Sequence, residues 1–127
     1  KVGIELPIIR ATALTLPSME NSFDTVVATF PTDYIFEPET LRAIRRVLVP
    51  QGRLVIVPSG ELKGNGVLEW LIGLVFALTG HGGEDFSAET TFQKWHTYFT
   101  TQHFNLTIQP VEFAKSYTTI LIAQAQP

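Results

Sequence analysis

The chain contains no cysteine, only one methionine and little charge, with Asp, Glu, Lys and Arg making up 17% of its 127 residues. Without cysteine it can form no disulfide, no thiolate metal site and no cysteine nucleophile. Positive charge is scarce as well: nine Lys and Arg against twelve Asp and Glu leave a formal net charge of −3. A sequence-independent grip on nucleic acid needs a basic face that displaces counterions, so no nucleic-acid partner is expected. Long apolar runs are missing too. The longest, Val67 to Leu78, is 12 residues and contains Glu69 and Gly73, whereas a membrane-spanning helix needs about 20. No stable membrane insertion is therefore expected. No charged-then-apolar leader opens the sequence at Lys1, so no secretory signal is expected, and an acidic, cysteine-free chain suits the cytoplasm. There is no repeat and no low-complexity tract.

What is present is a 45% apolar composition, too hydrophobic for a disordered chain, over a length suited to one domain spanning residues 1–127. Proline and glycine punctuate it. Pro7 to Ala11 reads as a short strand, followed by the polar stretch Ser18 to Ser22. Phe23 to Phe30 is apolar almost throughout and rich in β-branched residues, the pattern of a strand covered on both faces in a parallel sheet. Pro31 closes it.

The next element is a helix with clear ends. Pro38 stands at its first position, where a missing N–H costs nothing. Leu41, Ile44, Val47 and Leu48 form one apolar stripe. Glu37 and Glu39 complement the positive end of the helix dipole, and Arg45 and Arg46 the negative end. Pro50-Gln51-Gly52 stops the helix, and Arg53 to Val57 follows as a second apolar strand. Strand, helix and strand in this order predict a right-handed βαβ unit.

Farther along, Val67 to Leu78 reads as a buried helix and Gly80 to Gly83 as a break. Ala88 to Gln102, with Phe92, Trp95 and Phe99 at three- and four-residue spacing, reads as a second amphipathic helix. Leu106 to Phe113 and Tyr117 to Ala125 read as strands. The short link Ala114-Lys115-Ser116 can join only antiparallel neighbours, because a parallel crossover needs a dozen or more residues. The fold class expected is α/β, a partial Rossmann-like sheet of parallel strands that ends in an antiparallel hairpin.

Three stretches carry a family resemblance when taken in order: Ala11-Thr12-Ala13-Leu14-Thr15-Leu16-Pro17, then Ser22-Phe23-Asp24-Thr25-Val26-Val27, then Leu41 through Arg46-Val47-Leu48-Val49-Pro50-Gln51-Gly52 to Ile56. The succession resembles class I S-adenosylmethionine-dependent methyltransferases of the methyltransferase-11 type. In that family an acidic residue and Ala precede Leu-Pro, Phe-Asp opens a strand, and a helix ends in Arg-Val-Leu-x-Pro-Gly-Gly. The match covers about Gly3 to Val57. The family's glycine-rich loop is not among these residues, since no G-x-G-x-x-G occurs in the sequence. The resemblance is therefore to the C-terminal half of such an enzyme, and the isolated chain is expected to be inactive.

The resemblance implies S-adenosyl-L-methionine as cofactor and a small molecule as methyl acceptor. It places Thr12, Ala13 and Leu14 along the adenine edge, with Thr12 standing where the family has its acidic residue. It places Thr29, Phe30 and Tyr34 beside the methionine portion and the acceptor. Asp33 is a candidate for orienting or deprotonating an acceptor, although a solvated loop charge is the plainer account of it, and no catalytic residue is assigned. Methyl transfer depends first on alignment, and a base is optional for a nucleophilic acceptor. Trp70, Phe76, Phe86 and Trp95 suggest either an apolar acceptor pocket or core. None of His81, His96 and His103 forms an i, i+4 pair, so no metal site is expected. His103-Phe104 stands where many relatives have Gly-Phe, a structural position.

A second reading competes, a non-catalytic binding or assembly module built on the same fold. The Phe23 to Phe30 strand reads as central, yet its other neighbour is not in this sequence. A bare apolar edge is a template for association, so a homodimer or dependence on a missing N-terminal half is expected.

Overall fold

The structure is a computed structural model that describes residues 3–29, 31–57, 88–113 and 116–127. The expected helix at Val67 to Leu78, the Gly80 to Gly83 break, and Phe30, Trp70, Phe76, His81 and Phe86 lie outside the described residues. Among the described residues no helix is long and apolar enough to cross a membrane.

Four strands form one mixed sheet: β1 (Phe23–Thr29), β2 (Leu48–Val57), β3 (Phe104–Phe113) and β4 (Ser116–Ala125), in the order β1-β2-β4-β3. Among the described residues two α-helices accompany them, α1 (Pro38–Val47) and α2 (Ala88–Thr101). β1 and β2 pair in parallel across α1, with Val26 opposite Leu54 and Ala28 opposite Ile56. β4 lies antiparallel to β2, and β3 and β4 form the expected hairpin in register from Phe104↔Ala125 to Phe113↔Ser116.

The helix ends fall where the local chemistry puts them. Pro38 opens α1, the Leu41 N–H bonds the Glu37 carbonyl at 3.0 Å, and Arg45 and Arg46 occupy the last turn. The stripe Leu41, Ile44, Val47 and Leu48 is buried.

Three expectations about strands change. Pro7 to Ala11 is not a strand: residues 3–11 have no regular structure, and Ile4, Leu6, Ile8 and Ile9 are exposed. Strand hydrogen bonds need a neighbouring chain segment, and none lies beside this one among the described residues. β1 forms as expected, but among the described residues it is not covered on both faces. There it pairs only with β2, Val26 and Ala28 alone pack partly on the core, and Phe23 and Val27 stay exposed. β2 begins earlier than Arg53, because Pro50-Gln51-Gly52 lies inside the strand as a bulge. The β1–β2 register passes from Phe23↔Leu48 directly to Thr25↔Arg53, Gln51 has φ 63°, and a Cβ on Gly52 would meet Val49 O at 2.9 Å and Asp24 O at 3.1 Å.

One face of the sheet supplies Leu54, Ile56, Phe104, Leu106, Leu121 and Ala123 to the core, against Phe36, Leu41 and Ile44 and against Trp95 and Phe99 of α2. The aromatic rings meet edge to face: Phe36 and Trp95 have centroids 4.8 Å apart at 60°, and Phe36 and Phe99 6.2 Å apart at 88°. Rings prefer this arrangement because the positive edge of one faces the negative face of the other.

Candidate functional site

In an open α/β sheet, ligands collect at the carboxyl ends of the parallel strands, and the chain leaving β1 is built to hold a fixed shape there. Pro31 is buried, and Thr32 is extended. A single 3₁₀ turn, Asp33–Phe36, then delivers the chain to α1 through the bonds Ile35 N–H to Thr32 O (3.3 Å) and Glu37 N–H to Tyr34 O (3.2 Å). Two of the turn's residues, Ile35 and Phe36, point into the core, while Asp33 and Tyr34 stay exposed.

Tyr98 of α2 holds this turn from below by donating its hydroxyl proton to the Phe36 carbonyl. Burial, with the negative charges of Glu39 and Glu37 adding to it, pushes the Tyr98 hydroxyl above its ordinary value near 10. The phenol thus stays protonated and keeps donating. Phe36 fills the space beside Trp95, so the outward placement of Tyr34 is fixed by packing on the inward side of the same turn.

The second candidate segment is a tight turn. The Thr15 N–H bonds the Thr12 carbonyl at 3.2 Å, and the Leu14 N–H bonds Thr12 Oγ1 at 3.3 Å. Ala13 is half-buried, and Leu14 is 49% exposed at the tip. Among the described residues the Ala13 N–H has no acceptor. Beyond this turn, Arg46 fastens the chain to α1, donating to Leu16 O and to Ser18 O, each at 2.7 Å. The return bonds from Asn21 N–H to Arg46 O and from Ser22 N–H to Val47 O close the connection into β1.

The sequence-derived positions fall into two groups, Thr12 to Leu14 on this turn and Thr29 and Tyr34 at the carboxyl end of β1. Among the described residues no hydrogen bond joins the two groups. Trp95 belongs to the core, at 1% exposure. His96 is exposed. His103 has φ 64° and its carbonyl accepts the Gln126 N–H at 2.9 Å, the backbone role expected where relatives carry glycine. No group of three His, Asp or Glu that could hold a metal exists among the described residues. Two positioning residues escaped the sequence reading. Arg46 looked like a dipole partner alone, and Tyr98 carried no motif. The i+3 offset of Tyr98 from Trp95, which puts both on one helix face, was the available signal.

The donor set of the Thr12 turn suits a neutral heterocycle. A hydroxyl that retains an O–H and a lone pair, an unengaged amide N–H and an apolar side chain match the edge and face of an adenine. It offers no carboxylate to strengthen the contact.

Residues 1–56 match the methyltransferase-domain family. The chain is similar in structure to the 16S rRNA (adenine(1408)-N(1))-methyltransferase of Catenulisporales acidiphilia (TM-score 0.61, 17% identity, 92% of this chain and 57% of that one). A SAM-dependent methyltransferase of Methanosarcina mazei gives TM-score 0.51 at 18% identity, over 91% of this chain and 65% of that one. Another from Aquifex aeolicus gives TM-score 0.55 at 13% identity, over 93% and 54%. At these identities the likeness is one of fold, and the chain spans less than two thirds of each of these structures. No curated protein matches the sequence.

Proposed function

We propose that this chain, class I methyltransferase in fold and in the signature of residues 1–56, serves the transfer of a methyl group from S-adenosylmethionine to a small-molecule acceptor. The observation that carries the reading is the coincidence of the family match with the parallel β1–α1–β2 unit, whose strand ends form the ligand-binding edge of such sheets. When bound, the cofactor supplies a methyl group activated by a sulfonium.

The residues of this chain bind and orient. The Thr12 hydroxyl and the Ala13 N–H address the adenine edge, and the Leu14 side chain covers one face of the ring. Thr29 and Tyr34 stand where β1 ends, and Tyr34 is held outward by the Tyr98–Phe36 bond beneath it. Alignment is what this reaction needs most, and a turn anchored by buried aromatic rings supplies it. For the acceptor, the exposed charges within three residues of Tyr34 in sequence are Asp33 and Glu37, while Glu39 beyond them is paired with Arg42 at 2.7 Å. They repel a phosphate backbone, which favours a small molecule over the ribosomal RNA named for the Catenulisporales enzyme.

Isothermal titration of S-adenosylhomocysteine tests the reading. Binding is expected, and Leu14→Ala is expected to weaken it about tenfold, the loss of one apolar contact, while the unfolding temperature stays unchanged. No binding to a chain shown folded by circular dichroism overturns it.

A further inference from the structure

The last turns of α1, the corner between α2 and β3 and the approach to β1 wall one open cleft of about 590 Å³. Three of the chain's nine Lys and Arg line it, Arg42, Arg45 and Arg46. The cleft lies at the far end of α1 from the Asp33–Phe36 turn, ten residues or about 15 Å along the helix. It is therefore separate from the candidate site.

Arginines at a helix end ordinarily serve its terminal carbonyls. Here those carbonyls have other partners. Ile44 O accepts the Leu48 N–H, Arg46 O the Asn21 N–H and Val47 O the Ser22 N–H. On α2, Tyr98 O and Phe99 O accept the Gln102 N–H, and Thr100 O accepts the His103 N–H. The guanidinium groups reach past their own helix, Arg45 to Gln126 O and Arg46 to Leu16 O and Ser18 O. These bonds fix both heads through neutral oxygens, so neither charge is cancelled. Among the described residues only Arg42 has a carboxylate partner, Glu39 at 2.7 Å, and only Glu20 brings a carboxylate to the cleft wall.

An arginine carries five N–H donors, and these bonds use one of Arg45 and two of Arg46. Two anchored planar groups with donors to spare suit the paired oxygens of a phosphate, and Gln102 and His103 add neutral N–H groups from the α2–β3 corner. We propose that this cleft binds a phosphate monoester carried on a small molecule. Glu20 and the negative ends of both helices oppose a single negative charge, which favours a dianion over a carboxylate. A phosphodiester backbone has one charge per phosphate and lies across a surface, where Glu20, Glu39 and the net charge of −3 oppose it.

Isothermal titration of the full chain with ribose 5-phosphate at low salt tests the site, with ribose and a uridine oligonucleotide lacking a terminal phosphate as comparisons. Ribose 5-phosphate should bind, ribose should not, and the oligonucleotide should bind more weakly. Arg45→Gln should weaken binding roughly tenfold, the loss of a charge-assisted hydrogen bond. Arg45→Lys keeps the charge but not the fork and should lose nearly as much. Glu20→Gln changes an exposed side chain and should tighten binding several-fold by removing the opposing charge. Amide resonances of Asn21 and of residues 101–103 should shift on binding, while those of residues 12–14 should not. No binding to a chain shown folded by circular dichroism, an affinity indifferent to both Arg45→Gln and Glu20→Gln, or tighter binding of the oligonucleotide overturns the proposal. S-adenosylhomocysteine carries no phosphate, so this site and the cofactor reading fail separately.

Discussion

Residues 3–29 and the rest of the molecule divide their labour sharply. The first region holds most of the positions proposed for the cofactor, yet not one of its residues is fully buried. It is tied down by polar bonds, chiefly the two from Arg46. The second region contributes the whole buried core, from Ile35 through Trp95 to Ala125, and only Tyr34 of the described assigned positions. A ligand surface must stay open to its ligand, and burial is what stabilises a fold, so the same residue rarely serves both. Substitutions in the two regions should therefore separate binding from stability.

The largest contrast sets Trp95→Ala against Leu14→Ala. Loss of the buried indole should cost about 3–5 kcal/mol, read as a lower urea midpoint, whereas Leu14→Ala should change stability by less than about 0.5 kcal/mol. Equal losses would erase the division. Next comes the bulge in β2, where neighbouring residues should respond with opposite sign. Gly52→Ala forces a Cβ against two carbonyl oxygens and should destabilise by about 1–3 kcal/mol. Gln51→Gly relieves a positive φ and should stabilise by about 1 kcal/mol. Arg46→Gln removes charged donors from Leu16 O and Ser18 O. It should cost about 1 kcal/mol, with amide exchange quickening in residues 14–22 and little changed in the core hairpin.

The smallest effect is one of pH. The Tyr98 hydroxyl titrates above its ordinary value near 10 in the folded chain, through burial and then Glu39 and Glu37. Its contribution is therefore complete below the unfolded value and fades as pH rises through the folded one. The urea midpoint should fall as pH rises above about 10 in the wild type. In Tyr98→Phe it should be lower at neutral pH and flatter over that range.

Much of the fold could be read directly. The start of α1 was legible because its signals are local, Pro38 and the stripe that follows it, whereas its end was not, since the chain leaves the helix after Val47 and before Pro50-Gln51-Gly52. The β3–β4 hairpin followed from a link too short for any other connection. The candidate site was legible only as motif positions. Thr12 to Leu14 needed the family pattern to be noticed at all, and the clamp formed by Arg46 and Tyr98 left no local trace, since each bonds a carbonyl far away in sequence.

By itself, then, the sequence determined the two described helices, the hairpin and the family signature, because those rest on neighbours a few residues apart. Tertiary structure alone decided that, among the described residues, Pro7 to Ala11 is no strand and β1 lies at an edge, that Trp95 is core, and that Gln51 bends into the left-handed region within a bulge. Each of these depends on what lies beside a segment in space. Strand pairing and burial are properties of two segments at once, while helix hydrogen bonds close within one.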